Sequence, residues 1–452
     1  MDTDTTPSAF TTKTPRRILI VSYFFPPTNM VASIRIYSFA KYLARAGYEV
    51  TVLTTDCRSS GSDQSLHLDC SGFDVVRVKY GITCIKNIDV CGQNAMKTEG
   101  YSQLLWNTLN WFVRKASDVK NSIVGNSVMP EDLWFPYALF RGLELVRRKD
   151  FDVLLSSFGP ITSHWVGLWL KMIRPDLLWI ADYRDPWTGN PFMHIAKSPI
   201  SYLQFRLERY INSCADVITT VSEPLVEDYF KDFSQKAYVV ENGYLTEYSF
   251  DDNETKKYLN KYVCTYTGTY YSNMYQCSAL FAAIKLLTIT QSIANDALEL
   301  RFYGNNSHQL RSLICQEHLE GTIVPYPAVT HRESQLLQRK SHALIFFSTN
   351  DRRCRGFYGA KIFEYLCSGT PIIVIGNSDD NCAAQLVSKA GAGFVCGDDV
   401  TKIVDAFKKI MIGDLPQRNE EVIASFRRDR LARKLIEIIE KNMVDKDRHN
   451  VC

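Results

Sequence analysis

The sequence predicts an α/β protein made of two doubly wound parallel-sheet domains that face each other across a cleft. Three observations carry this expectation. The chain has 452 residues, too many for one ordinary core and enough for two or three domains. Short apolar runs of strand length alternate with segments of helical period, the βα order of parallel sheets. A polar stretch, Asp251 to Lys257, interrupts that alternation, and the rhythm then begins afresh.

The first strand is the run from Arg17 to Ser22 (RILIVS), apolar enough to be buried on both faces. Pro26 and Pro27 break it. Ile36, Phe39, Ala40 and Leu43 then recur at helical steps, with Gly47 as the C-terminal stop. Glu49 to Thr55 is the next strand, completing a βαβ unit, and Phe73 to Val78 adds a short one. The alternation resumes with a helix near 137–149, a strand at 152–156, a helix from about Thr162 and a strand at 178–181. A helix at 202–213 and strands at 217–221 and 238–241 complete the first half. In the second half, strands are expected at 262–266, 299–303, 343–347, 371–375 and 393–396. Leu280, Phe281, Ile284 and Leu287 give the first helix there a core-facing stripe. A last helix, 427–442, carries Leu431, Leu435, Ile436 and Ile439 on one side. The expected division is a disordered tail (1–15), a first domain (16–250), a second domain (258–416), and a terminal helix (417–445) that packs back on the first domain.

Composition removes several classes of function. Lysine and arginine number 52 against 49 acidic residues, a net charge of +3 that gives no general nucleic-acid-binding surface. Hydrophobic residues at 46% and charged ones at 22% exclude a disordered or collagen-like chain. No run of 18 apolar residues occurs and the first 14 residues lack the apolar core of a signal peptide, so a cytoplasmic protein is expected. The 13 cysteines contain no CxxC and the 8 histidines no HExxH, which favours reduced thiols and no metal. Tyr101 to Lys115 is aromatic with basic residues at its end, and either packs on the domain or attaches peripherally to the inner face of a membrane.

In open parallel sheets, ligands bind beyond the carboxyl ends of the strands, which directs attention to four segments. Phe25 to Arg35 joins a strand to a helix N-terminus and offers Asn29, Ser33 and Arg35 as acceptor or phosphate contacts; it lacks the glycines of a dinucleotide site. Ser156 to His164 leads into a helix whose first turn holds His164. Ala181 to Trp187 crowds Asp182, Arg184, Asp185 and Trp187 at a strand end. The acids would hold a sugar hydroxyl, take a proton, bind a metal or pair with Arg184, and Trp187 would offer a face to a sugar ring or sit in the core. Arg355 to Pro371 places Lys361 and Glu364 three residues apart on one helix face, suited to a diphosphate and to ribose hydroxyls.

The order RRILIVSYFFPP, SIRIYSFAKYLARAGYEVTVLTT, ADYRDPW, ADVITTVSEPLVEDY, ENGY and KIFEYLCSGTPIIVIG resembles bacterial glycosyltransferase family 4, and the resemblance runs over residues 16–440. It implies a GT-B fold of two Rossmann-like domains and a retaining, nucleotide-sugar-dependent transferase. The donor nucleotide would sit mainly on the second domain and the acceptor on the first. Glu364 matches the second Glu of the family's Glu-x7-Glu motif, which implies a ribose contact. Lys361, Arg355, Gly359 and Thr269 are the other donor-side candidates; Asp182, Asp185 and His164 are those for catalysis. The resemblance to members from O-antigen and capsule clusters implies a role in surface polysaccharide, lipopolysaccharide or glycoconjugate synthesis. Three departures stand out. Gly356 occupies the place of the first motif Glu, Thr28 to Ser33 replaces the glycine pair of the first loop, and Gly268 to Ser272 replaces the usual Arg and Lys. The expected reaction transfers sugar from a nucleoside diphosphate to a saccharide or lipid-linked acceptor, with no metal or other cofactor. A nucleotide-sugar epimerase or an inactive scaffold of the same fold are the alternatives.

Overall fold

The computed structural model describes residues 15–56, 64–80, 130–191, 199–246, 249–259, 261–271, 275–289, 297–304, 308–359, 361–376 and 380–449. The 1–14 tail and the aromatic stretch at 101–115 lie outside them.

The first half contains β1 (Arg17–Val21), α1 (Val31–Arg45), β2 (Glu49–Thr55), β3 (Asp74–Val78), α2 (Phe135–Arg148), β4 (Val153–Ser157), α3 (Thr162–Ile173), β5 (Leu178–Asp182), α4 (Pro199–Cys214), β6 (Val217–Thr220), α5 (Glu223–Tyr229) and β7 (Ala237–Val239). Its seven strands pair in the order β3-β2-β1-β4-β5-β6-β7, every neighbour parallel. The central strands are buried along nearly their whole length, so the apolar runs read from sequence fall where both sheet faces are covered. On one face α2, α3 and α4 enclose Leu19, Val21, Leu154 and Trp179. On the other, α1 covers Ile18, Ile20, Val153 and Leu155.

The second half contains β8 (Tyr262–Thr267), α6 (Ser278–Ile289), β9 (Leu298–Tyr303), α7 (His308–Gln316), β10 (Ile323–Tyr326), α8 (His331–Lys340), β11 (Ala343–Phe347), α9 (Lys361–Ser368), β12 (Ile372–Ile375), α10 (Cys382–Lys389), β13 (Gly393–Val395), α11 (Val400–Met411), α12 (Glu420–Ser425) and α13 (Arg428–His449). Six parallel strands pair as β10-β9-β8-β11-β12-β13. Strand β10 has no counterpart in the sequence reading. It is short and holds Pro325, a residue that argues against a central strand, and the structure places it at the sheet edge, where a missing N–H is tolerated.

Helix α13 does not cover the second sheet. Leu431, Ala432, Leu435, Ile438 and Ile439 join Ile36, Phe39 and Leu43 of α1 in the core of the first half. Strand order reverses at β1/β4 in one sheet and at β8/β11 in the other, and these reversals are where open α/β sheets form ligand crevices.

Candidate functional site

At the β8/β11 reversal a cavity of ≈ 280 Å³ opens between the two halves. Tyr266 comes from β8, Phe346 and Phe347 from β11, and Ser348 and Thr349 from the turn after it. Phe357, Tyr358 and Gly359 form a further wall, and Lys361 opens α9 there. Asn381, the N-cap of α10, accepts from the N–H groups of Ala383 (3.0 Å) and Ala384 (3.2 Å). The first residue of α9 and the cap of α10 thus line one aromatic-walled space, an arrangement that favours an anion attached to a flat ring.

Lys361 is the cation of this space. Its Nζ donates to the Tyr266 hydroxyl (2.9 Å) and lies 4.4 Å from the centre of that ring. The Tyr266 hydroxyl in turn donates to the Thr269 carbonyl oxygen (2.8 Å), which leaves its own oxygen to accept from Lys361. Burial brings the Lys361 pKa down to about 8, against an opposing pull from Glu364. The glycine at 268 makes this placement possible. A Cβ there would sit 2.1 Å from Lys361 Cε, and its φ of +120° suits glycine.

From the first domain, Asp185 lines the same cavity and is the only carboxylate to do so among the described residues. Burial raises its pKa, with Arg184 and Arg35 acting in the opposite direction. Asp182, three residues earlier, is fully enclosed. Arg35 Nη2 donates to Asp182 Oδ1 at 2.7 Å and its Nε to Oδ2 at 3.0 Å, while the Thr219 (2.8 Å) and Ser157 (3.0 Å) hydroxyls complete the shell. Burial would raise the Asp182 pKa, but the Arg35 charge and these hydrogen bonds hold it below the ordinary carboxylate range. Arg35 also donates to the Glu241 carbonyl oxygen (3.0 Å). The expected contact of Asp182 and Arg35 with substrate is therefore not what the structure shows: the two groups bind each other.

Several other candidates sit away from the cavity. His164 is fully buried with Nδ1 2.8 Å from Ser156 Oγ, and burial lowers its pKa to about 3, so it is a neutral packed ring. Trp187, expected to offer a face to a sugar, packs in the core beside Trp165 because its backbone N–H is tied to Glu208 Oε1 (3.0 Å). Ser33 is fully buried on α1, and Asn29 donates to Ser65 Oγ (3.2 Å). Arg184 flanks the 159–160 turn, within 2.9 Å of where a Gly159 side chain would begin.

Arg355 and Gly356 join the two halves. Arg355 donates to Asp228 (2.9 and 2.8 Å) and Glu227 (2.8 Å) of α5. Ser222 caps α5 through Leu225 N–H and donates to the Gly356 carbonyl oxygen (2.7 Å). A Cβ at 356 would lie 2.9 Å from Ser222 Oγ and 3.0 Å from the Leu225 nitrogen. A larger side chain at 356 would therefore meet α5 of the first half. Arg355, expected on the donor, is committed to this clasp.

Glu364 does not share the Lys361 cavity. Its Oε1 is 2.9 Å from His331 Nε2 and its Oε2 accepts from Gln338 (3.3 Å). Burial would raise its pKa, but His331, Gln338 and Lys361 bring it below the usual value. Glu364, His331, Asn242 and Arg428 surround a separate space of ≈ 20 Å³, the size of one water. Arg428 Nε and Nη1 are buried there without hydrogen-bond partners, and burial together with Arg35 lowers its pKa to about 9. The sequence reading passed over His331, Arg428, Ser222 and the aromatic walls. Of these, the aromatic walls left a visible sign, a strand ending Phe346-Phe347 before Ser348-Thr349. No group of three or more His, Cys, Asp or Glu able to hold a metal occurs among the described residues.

No family model and no curated protein sequence matches the chain. Solved structures do. Sucrose-phosphate synthase from Thermosynechococcus elongatus superposes with a TM-score of 0.62 at 13% identity, covering 95% of this chain and 100% of that one. A glycosyltransferase from Rickettsia africae gives 0.59 at 14% identity, covering 95% and 99%. A UDP-N-acetylglucosamine 2-epimerase gives 0.51 at 12%, covering 94% and 95%. The chain has the GT-B fold. At these identities the likeness is one of fold, and both transferases and an epimerase share it.

Proposed function

We propose that the protein is a glycosyltransferase that moves a sugar from a nucleoside diphosphate to a saccharide or lipid-linked acceptor in surface polysaccharide or glycoconjugate synthesis. One observation carries the reading: an aromatic-walled cavity at the second sheet's reversal joins Lys361, at a helix N-terminus, to Asp185 of the opposite domain. The bond from the sugar C1 to the diphosphate oxygen breaks as one to an acceptor oxygen forms, and the acceptor's hydroxyl proton passes to the departing diphosphate. Negative charge then collects on the departing diphosphate, where Lys361 and the α9 N–H groups meet it. Asp185 contacts the reacting sugar or the acceptor. Asp182 and Arg35 act as a positioning pair that fixes the strand end carrying Asp185. The ribose contact implied for Glu364 requires its carboxylate to exchange His331 or Gln338 for ribose hydroxyls. Retention of configuration follows from the family resemblance, and a place at the inner membrane face from the aromatic stretch 101–115.

The test is binding followed by product analysis. Calorimetry with a panel of nucleoside diphosphates should find one that binds, and the matching nucleotide sugar should yield a new glycoside only with acceptor present. The epimerase neighbour makes the second reading concrete. Conversion of nucleotide sugar without acceptor would establish it. A protein that binds no nucleoside diphosphate would be a scaffold.

A further inference from the structure

Helix α4 has a mixed inner face, on which Leu207 and Ile211 join the core of the first half. Its core-facing side carries Gln204, Glu208 and Asn212, all buried. Glu208 is held there by the N–H groups of Trp187 (3.0 Å) and Thr188 (2.9 Å), so the turn after β5 fixes a carboxylate beneath the helix. The outward side presents Tyr202, Leu203, Phe205 and Tyr210, with Leu203 66% and Tyr202 62% exposed. Arg206 and Arg209 stand among them, 6.0 Å from the Tyr202 ring and 5.7 Å from the Phe205 ring.

The neighbouring helices extend this surface. Helix α3 packs against α4 and exposes Trp169, Met172 and Ile173; α2 packs against α3 and exposes Phe140, at 73%. Together the three helices contain six basic and two acidic residues. Of the acidic pair, Glu208 is buried, and Glu144 is occupied by Arg141 and Arg148. Outside the helices, Asp232 pairs with Arg209 and Asp216 with Lys171. A soluble face seldom gathers so many large apolar side chains on adjacent elements. Rings set among arginines, with a basic excess, match the interfacial layer of an anionic bilayer: rings enter the acyl boundary and guanidinium groups stay at the phosphates.

We infer that the outer face of α2, α3 and α4 is a docking surface for anionic lipid. No helix among the described residues is long and apolar enough to cross a membrane, so this contact is made at the surface. It is a different region from residues 101–115, and it stands without the glycosyltransferase reading.

The test is flotation of the full-length protein with phosphatidylethanolamine/phosphatidylglycerol vesicles, and with phosphatidylcholine vesicles as the neutral comparison. The wild type should float with the anionic vesicles, less with neutral ones and less in high salt. The triple variant Tyr202→Ser, Leu203→Ser, Phe205→Ser should lose at least about tenfold in vesicle affinity. Its melting temperature should hold, since these side chains are already exposed, and Arg206→Gln should weaken binding to anionic vesicles alone. Wild type that stays soluble with both vesicles, or a triple variant that floats equally well, overturns the inference. So does a wild-type dimer that the triple variant splits without any flotation, because the face is then a protein interface. Nucleoside diphosphate binding measured alongside separates the two readings. Its absence from a wild type that floats removes the functional proposal and leaves this one.

Discussion

Asp182 and Asp185 leave the same strand three residues apart and meet opposite environments. Asp182 is closed off by Arg35, Thr219 and Ser157, and its pKa is depressed. Asp185 faces the interdomain cavity, and its pKa is raised by burial. A saturated carboxylate holds a fold in place, whereas an unsaturated one is available to a ligand. The same contrast separates the cations: Arg35 is bound on several sides, while Lys361 has one phenol and a pKa brought down to about 8.

The largest effect should come from breaking the closed pair. Arg35→Met strands a buried carboxylate and should cost about 3–5 kcal/mol in chemical unfolding. The pH dependence follows from the sign of each shift. Asp182's contribution is present above the unfolded carboxylate pKa of about 3.9 and is lost as pH falls through its lower folded value. Wild type should therefore lose stability on that acid limb, and Arg35→Met should flatten it. A variant melting like wild type would mean that the pair holds nothing.

Lys361→Ala comes next. Nucleoside diphosphate affinity should fall about a hundredfold, roughly 2.7 kcal/mol, with nucleoside affinity unchanged by calorimetry. In the wild type, diphosphate affinity should weaken as pH rises above about 8, where free Lys361 loses its proton. Equal losses for nucleoside and diphosphate would place the phosphates elsewhere.

Asp185→Asn sharpens the contrast from the other side. We expect turnover to fall about tenfold, close to 1.4 kcal/mol, with no drop in melting temperature at neutral pH. The reason is again the sign: a raised folded pKa contributes stability below the unfolded value, and that contribution is lost as pH rises through the folded one. An early-melting Asp185→Asn would put the residue with Asp182 among the structural groups. The smallest effect belongs to Arg355→Ala. Its ion pairs with Glu227 and Asp228 are partly solvated, so removing them should cost under about 1 kcal/mol, seen as a small shift in the urea midpoint.

Strand and helix periodicity made most of the alternation legible, because buried parallel strands must be apolar on both faces. Edge strand β10 was hidden by Pro325, whose cost vanishes at an edge. The site was harder to read. Lys361 and Asp185 share a cavity, but Trp187 went to the core and Arg35 to Asp182. Composition at a strand end says which groups are near a cleft and not which will neutralise one another. That choice depends on partners far along the chain, as with Arg35 and Asp182 or Glu364 and His331. The exposed apolar face inferred to dock on lipid was invisible for a related reason: the apolar side of α4 resembles an ordinary core stripe until Glu208 is seen pinned beneath it.

The seating of α13 on α1 has a consequence for biosynthesis. Strand β1 and helix α1 emerge early, but the helix that covers them is translated only after the whole second domain. At about 5–20 residues per second, the nascent first domain waits roughly ten to forty seconds with Ile36, Phe39 and Leu43 lacking their cover. A ribosome-bound intermediate truncated before Arg428 should therefore be a chaperone client, and α13 supplied in trans should release it.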